Sequence, residues 1–87
     1  MRVDHGVARF EGDLVLDRAR QLLAEAETAL NGGARVFDLA GVGHVDSSAL
    51  SLLLALRRRA GSDGVRFDNV PDSLTALARL YGIAELL

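Results

Sequence analysis

The spacing of apolar and polar residues changes several times along the chain, and each change marks an expected element. From Arg35 to Leu39 a short apolar run, interrupted only by Asp38, predicts a buried strand, and Gly41 and Gly43 punctuate a turn after it. From Ser48 onward the apolar spacing becomes helical, with no Gly or Pro until Gly61, which predicts a helix over 47–60. Asp46 is its expected N-cap, because a carboxylate there accepts from the free N–H groups of the first turn. Ser47 and Ser48 fall in that first turn, where the helix dipole favours a negative group.

Upstream, residues 3–16 alternate loosely around Val7, Phe10, Leu14 and Leu16, with Glu11-Gly12-Asp13 as a turn, and a two-stranded hairpin is expected. Asp17 is the expected cap of a helix reaching about Leu30, whose apolar set is Ala19, Leu22, Leu23, Ala26 and Leu30. Asn31-Gly32-Gly33 ends it, since these residues accept the left-handed conformation that closes a helix. Downstream, Gly61-Ser62-Asp63-Gly64 reads as a turn and Val65–Asn69 as a strand. Pro71 precedes a last helix capped by Asp72 or Ser73, with Leu74, Leu77, Ala78 and Tyr81 along one stripe. Gly82 closes that helix, and Ile83, Leu86 and Leu87 form an apolar tail. The order β-β-α-β-α-β-α implies a small mixed α/β sheet of about four strands packed on three to four helices, with a right-handed crossover through 47–60. Asp38, in the middle of an apolar strand, is expected to bond nearby backbone N–H groups rather than to act as a catalytic acid.

Length and charge narrow the function classes. Residues 1–87 are expected to form one domain, of a size that buries about 60% or a little more of its unfolded surface. The 49% hydrophobic content fits a packed core and argues against disorder. A net charge of −2, with ten arginines and no lysine, offers no basic patch for nucleic acid. With no cysteine, disulfides and thiolate metal sites are excluded, and neither a metal nor a cofactor is expected. No apolar run approaches the ~20 residues of a bilayer span, so a cytoplasmic chain without direct membrane insertion is expected.

A helical wheel of 47–60 carries the clearest functional signal. Ala49, Leu50, Leu53, Leu56 and Ala60 fall on one side; Ser47, Ser48, Ser51, Ala55, Arg58 and Arg59 fall on the other, with Leu52 and Leu54 on opposite borders. Serine is a poorer helix former than the long charged residues usual at a surface. A smooth face of small hydroxyl and methyl groups, edged by Leu52, Arg58 and Arg59, suits the docking of another protein better than plain solvation.

The run Val36-Phe-Asp-Leu-Ala-Gly-Val-Gly-His-Val-Asp-Ser-Ser-Ala-Leu-Ser-Leu-Leu resembles the signature of STAS domains, the family of bacterial anti-sigma-factor antagonists and of modules attached to transporters. The tail Val70-Pro-Asp-Ser-Leu-Thr-Ala-Leu-Ala-Arg-Leu-Tyr-Gly-Ile narrows the likeness to the small STAS subunit of the Mla phospholipid-transport ABC system. That resemblance implies a non-catalytic subunit bound to the transporter's ATPase, in a complex with permease and lipid-binding subunits, peripheral to the inner membrane through its partner. In the antagonist branch it implies a binding switch, with Ser47 at the position that partner kinases phosphorylate and Asp46 at the acid before it. Ala49 departs from the family's usual Gly, which bears on a tight kinase contact more than on the fold.

Enzymatic readings fare worse. His44, Asp46 and Ser47 lie too close in sequence to supply a nucleophile, a base and an orienting acid, and no Gly-x-Ser-x-Gly elbow is present. Gly41-x-Gly43 before a helix lacks the third glycine and the Gly-Lys-Ser/Thr of a phosphate-binding loop.

Overall fold

A computed structural model describes residues 1–87. Its elements are β1 (Arg2–Asp4), β2 (Val7–Leu14), α1 (Leu16–Asn31), β3 (Val36–Val45), α2 (Ser47–Ala60), β4 (Arg66–Asp68) and α3 (Asp72–Leu80). Short 3-10 turns at Gly61–Asp63 and Ala84–Leu86 complete the chain. The sheet order is β1-β2-β3-β4; β1 runs antiparallel to β2, and β2, β3 and β4 are parallel, joined by α1 and α2. This is the mixed α/β architecture that the periodicity predicts.

Strand alternation sends one side of the sheet into the core. Ala8 and Phe10, Phe37 and Leu39, and Phe67 are buried against Leu22 and Ala26 of α1, Leu53 and Leu56 of α2, and Leu74 and Ala78 of α3. Phe37 sits at the centre, its ring centroid 5.9 Å from Phe10 and 6.4 Å from Phe67. The intervening strand residues face the other way and are charged, with Arg9 reaching Asp38 at 3.6 Å. At the chain's end Arg57 stacks over Phe67 and donates through Nε to the Leu86 carbonyl at 2.7 Å, which holds the apolar tail against the core.

Several boundaries differ from expectation. The hairpin turn is at His5-Gly6, not at Glu11-Gly12-Asp13, which continues β2. Leu16 is no strand anchor: it opens α1 and is 73% exposed. Asp17 and Asp72 lie within first turns rather than capping, and the N-cap residues of α1 and α3 are Val15 and Pro71, neither with a side-chain cap bond. Tyr81 is 58% exposed instead of continuing the buried stripe of α3. The largest difference is Gly41-Val42-Gly43, which extends β3 to Val45 instead of turning.

That extension rests on two irregularities. Between Arg9 and Glu11 of β2, β3 runs from Asp38 to Gly41, and between Gly12 and Leu14 it runs from Val42 to Val45. Each time β3 spends one residue more than its partner, as in a β-bulge, and leaves a backbone group outside the ladder. An aspartate takes up each freed N–H. Asp38 Oδ1 accepts from Ala40 N at 2.9 Å and from Asn69 Nδ2 at 2.9 Å, and Asp13 Oδ1 accepts from His44 N at 2.8 Å. The role expected of Asp38 is the role it has. Gly41 is required by close approach: a Cβ there would lie 2.9 Å from the Phe10 carbonyl oxygen.

Asp46, which follows β3, bonds to three other elements. Its N–H donates to the Leu14 carbonyl at the end of β2. Its Oδ1 accepts from Ser48 N at 2.9 Å, capping α2, and its Oδ2 accepts from Leu16 N at 3.0 Å, taking a free donor at the start of α1.

Asp46→Ala strips a partner from both helix starts and should lower the thermal midpoint, followed by circular dichroism, by roughly 5–10 °C. Asp46→Asn keeps one acceptor oxygen and should lose about half as much. Asp13, Asp38 and Asp46 all have carboxyls held below their ordinary value, chiefly by the His44 N–H, the Asn69 side chain and the Ser48 hydroxyl respectively. A carboxyl lowered in the folded state adds stability that is complete above about pH 5 and is lost as pH falls through and below about 3.9. Denaturant titrations at a series of acidic pH values should show that loss, and the slope should flatten in a chain with all three replaced by Asn.

Candidate partner-docking site

The parallel strands β2 and β3 end together, and the starts of α1 and α2 converge there on Asp46. Carboxyl ends of parallel strands are where open α/β sheets present their functional loops. The Ser48 hydroxyl is the largest cause of the lowered Asp46 carboxyl and donates to its Oδ1, with Leu16 N–H next. Ser48 is therefore half-buried and committed to the cap, whereas Ser47 beside it is exposed.

The wheel of α2 divides differently from expectation. Ser47, Ser51, Arg58 and Arg59 are exposed, but Leu52 and Ala55 are 3% and 6% exposed. The reason is α1, which packs along that side of α2. Arg59 pairs with Glu27 of α1, clasping the two helices. Arg58, one residue back, makes no such bond and points to solvent. The accessible stripe of α2 is thus Ser47, Ser51 and Arg58, with Leu54 half-buried along it.

Between the helices lies a groove of about 360 Å³ lined by Leu16, Ala19, exposed Arg20 and Leu23 of α1 and by Ser48, Ser51 and Leu52 of α2. Sequence reasoning missed the α1 half of this surface. The signal was present in Leu16, an apolar residue just before the expected helix cap at Asp17, but the alternation of the preceding strand masked it.

His44, Asp46 and Ser47 do not come together as a relay. His44 Nδ1 faces Asp13 Oδ1 at 3.3 Å, and both Asp46 oxygens are taken by Leu16 and Ser48, so no relay connects His44, Asp46 and Ser47. No group of three or more His, Cys, Asp or Glu side chains converges as metal ligands would. No helix is long and apolar enough to cross a membrane.

Ala49, in the place of the family's Gly, is buried, its methyl packed inward in the core. The departure is absorbed by the interior and leaves the exposed stripe unaltered.

A search of curated proteins found no match. The family described as Mlab, STAS domain, matches residues 1–87, the full length that carries this sheet, these helices and the Asp46-Ser47-Ser48 helix start. The chain belongs to the STAS domain family, whose members are generally protein-interaction domains.

Proposed function

We propose that residues 1–87 form one STAS domain acting as a non-catalytic subunit that binds and regulates or stabilises the ATPase of an ABC transporter for phospholipid transport between membranes. In this reading the chain sits at the cytoplasmic side of the inner membrane through its partner, in a complex with permease and lipid-binding subunits. The observation that carries it is the α1/α2 surface: small exposed hydroxyls at Ser47 and Ser51, a shallow and mainly apolar groove that includes exposed Leu16, and cations at Arg20 and Arg58 without ion-pair partners. Small side chains let another backbone approach closely, the groove supplies apolar contact, and the rim charge steers the encounter. The family description supports the transporter assignment.

A second reading, an anti-sigma-factor antagonist switched by phosphorylation, draws on one observation. Ser47 is exposed in the first turn of α2, where the helix N-terminus stabilises a phosphate. Co-purification from the native cell with a histidine-kinase-like protein, and with no ABC ATPase, would sink the transporter reading in favour of this one.

Two binding predictions test the surface. Ser47→Glu should fold normally yet weaken binding to the purified ATPase at least tenfold, about 1.4 kcal/mol, because a charge must be desolvated at the contact. Ser47→Thr should be nearly neutral, and Ser51→Arg should block binding by bulk. Unchanged affinity in both Ser47→Glu and Ser51→Arg would place the docking face elsewhere. The two arginines should separate: Arg58→Ser slows association at low salt with the thermal midpoint unmoved, whereas Arg59→Ser loses the Glu27 clasp and lowers the midpoint slightly. Stopped-flow association at two ionic strengths, with thermal melts of both variants, reads the difference.

A further inference from the structure

The hairpin turn decides where the backbone groups of the edge strand point. His5 and Gly6 have φ of 50° and 79°, the paired left-handed conformations of a type I′ turn, and the two-residue loop closes on Asp4 opposite Val7. That closing pair is hydrogen-bonded, and bonded and non-bonded pairs alternate along an antiparallel ladder, so Val3 opposite Ala8 is a non-bonded pair. The N–H and C=O of Val3 therefore point away from β2, and β1 is the outermost strand. The Val3 side chain lies on the helix side of the sheet, as Ala8 does, yet is 50% exposed beside a groove of about 400 Å³ whose far wall is Thr28, Ala29 and Gly32.

The other open edges of the sheet carry different side-chain arrangements. Where β2 runs on past β1, Arg18 Nη1 donates to the carbonyls of Glu11 at 3.3 Å and Asp13 at 2.7 Å. At the opposite edge β4 reads Arg66-Phe67-Asp68, but Arg66 binds Asp68 through two hydrogen bonds of 2.8 and 3.1 Å, and Phe67 is buried. β1 carries the same Arg-x-Asp order with neither device: Arg2 has no ion-pair partner, and Asp4 meets only the exposed His5 at 2.7 Å.

We propose that β1 is a self-pairing edge, through which two copies of this chain associate as an antiparallel β1–β1 pair centred on Val3. In that register Val3 of one copy exchanges both backbone hydrogen bonds with Val3 of the other, and the two valines cover the adjoining grooves. Arg2 of each copy then stands directly opposite Asp4 of the other, an oppositely charged cross-strand pair formed twice. The strand is three residues long, so the contact falls in the class of small, weak interfaces and is sensitive to salt.

Sedimentation equilibrium of the full chain, from micromolar to millimolar concentration at low salt, should show a monomer–dimer equilibrium. Arg2→Asp and Asp4→Arg, each alone, set like charges across the edge and should weaken association at least tenfold, with circular dichroism unchanged. An equimolar mixture of the two variants again sets opposite charges across both positions and should regain the association. A chain that stays monomeric to millimolar concentration, a dimer indifferent to both substitutions, or a mixture that fails to associate would each overturn the proposal; the first of these would leave the edge to a strand from a different protein.

Discussion

The carboxylate of Asp46 accepts hydrogen bonds from the first turns of two different helices, and the rest of the molecule is arranged around that fact. Helix starts carry unsatisfied N–H groups and a partial positive charge, so one negative group between two of them meets both needs. Asp46 also donates its own N–H to the last residue of β2, which ties the strand ends to the helix starts. With α1 and α2 fixed at this point, their apolar faces meet the sheet side by side. The shallow groove between them, and the exposure of Ser47 just beyond the cap, are consequences of the same geometry.

β3 reaches that point by being longer than its neighbour. It spends ten residues against the eight of β2, and the two extra ones sit in bulges whose free N–H groups are taken by Asp38 and Asp13. Bulges of this kind bend a strand and change its twist locally. Three aspartates, each with a lowered carboxyl, therefore hold backbone donors that regular secondary structure leaves over. This is why acid is expected to bear on the fold at the same end of the sheet as the proposed docking surface.

The two ends of α2 differ in what they leave free. At the N-terminus the cap consumes Ser48 and leaves Ser47 to solvent; at the C-terminus the α1 clasp consumes Arg59 and leaves Arg58. The exposed stripe of this helix therefore has one neutral hydroxyl end and one cationic end. Such polarity can orient an incoming surface without any buried charge having to be desolvated.

The sequence by itself determined the element order, the core and the chemistry of the α2 start, because each depends on neighbours a few residues away. The Phe10, Phe37 and Phe67 positions follow strand alternation, and Asp46 is an N-cap on local grounds alone. The Asp38 carboxylate serving backbone N–H groups was likewise legible from its place in an apolar strand. Tertiary structure decided the rest. Gly41 and Gly43 carry turn signals, but pairing with β2 and two aspartate-capped bulges hold them in a strand, and the β2 partners and Asp13 lie about thirty residues away in sequence. Ala55 lies on the polar side of an isolated wheel and Leu52 on its border, and both become buried because a second helix lies across them, which periodicity within one helix cannot express. A helix has one face toward the sheet that its own pattern announces; the face toward its neighbouring helix is set only when both are docked on the same sheet.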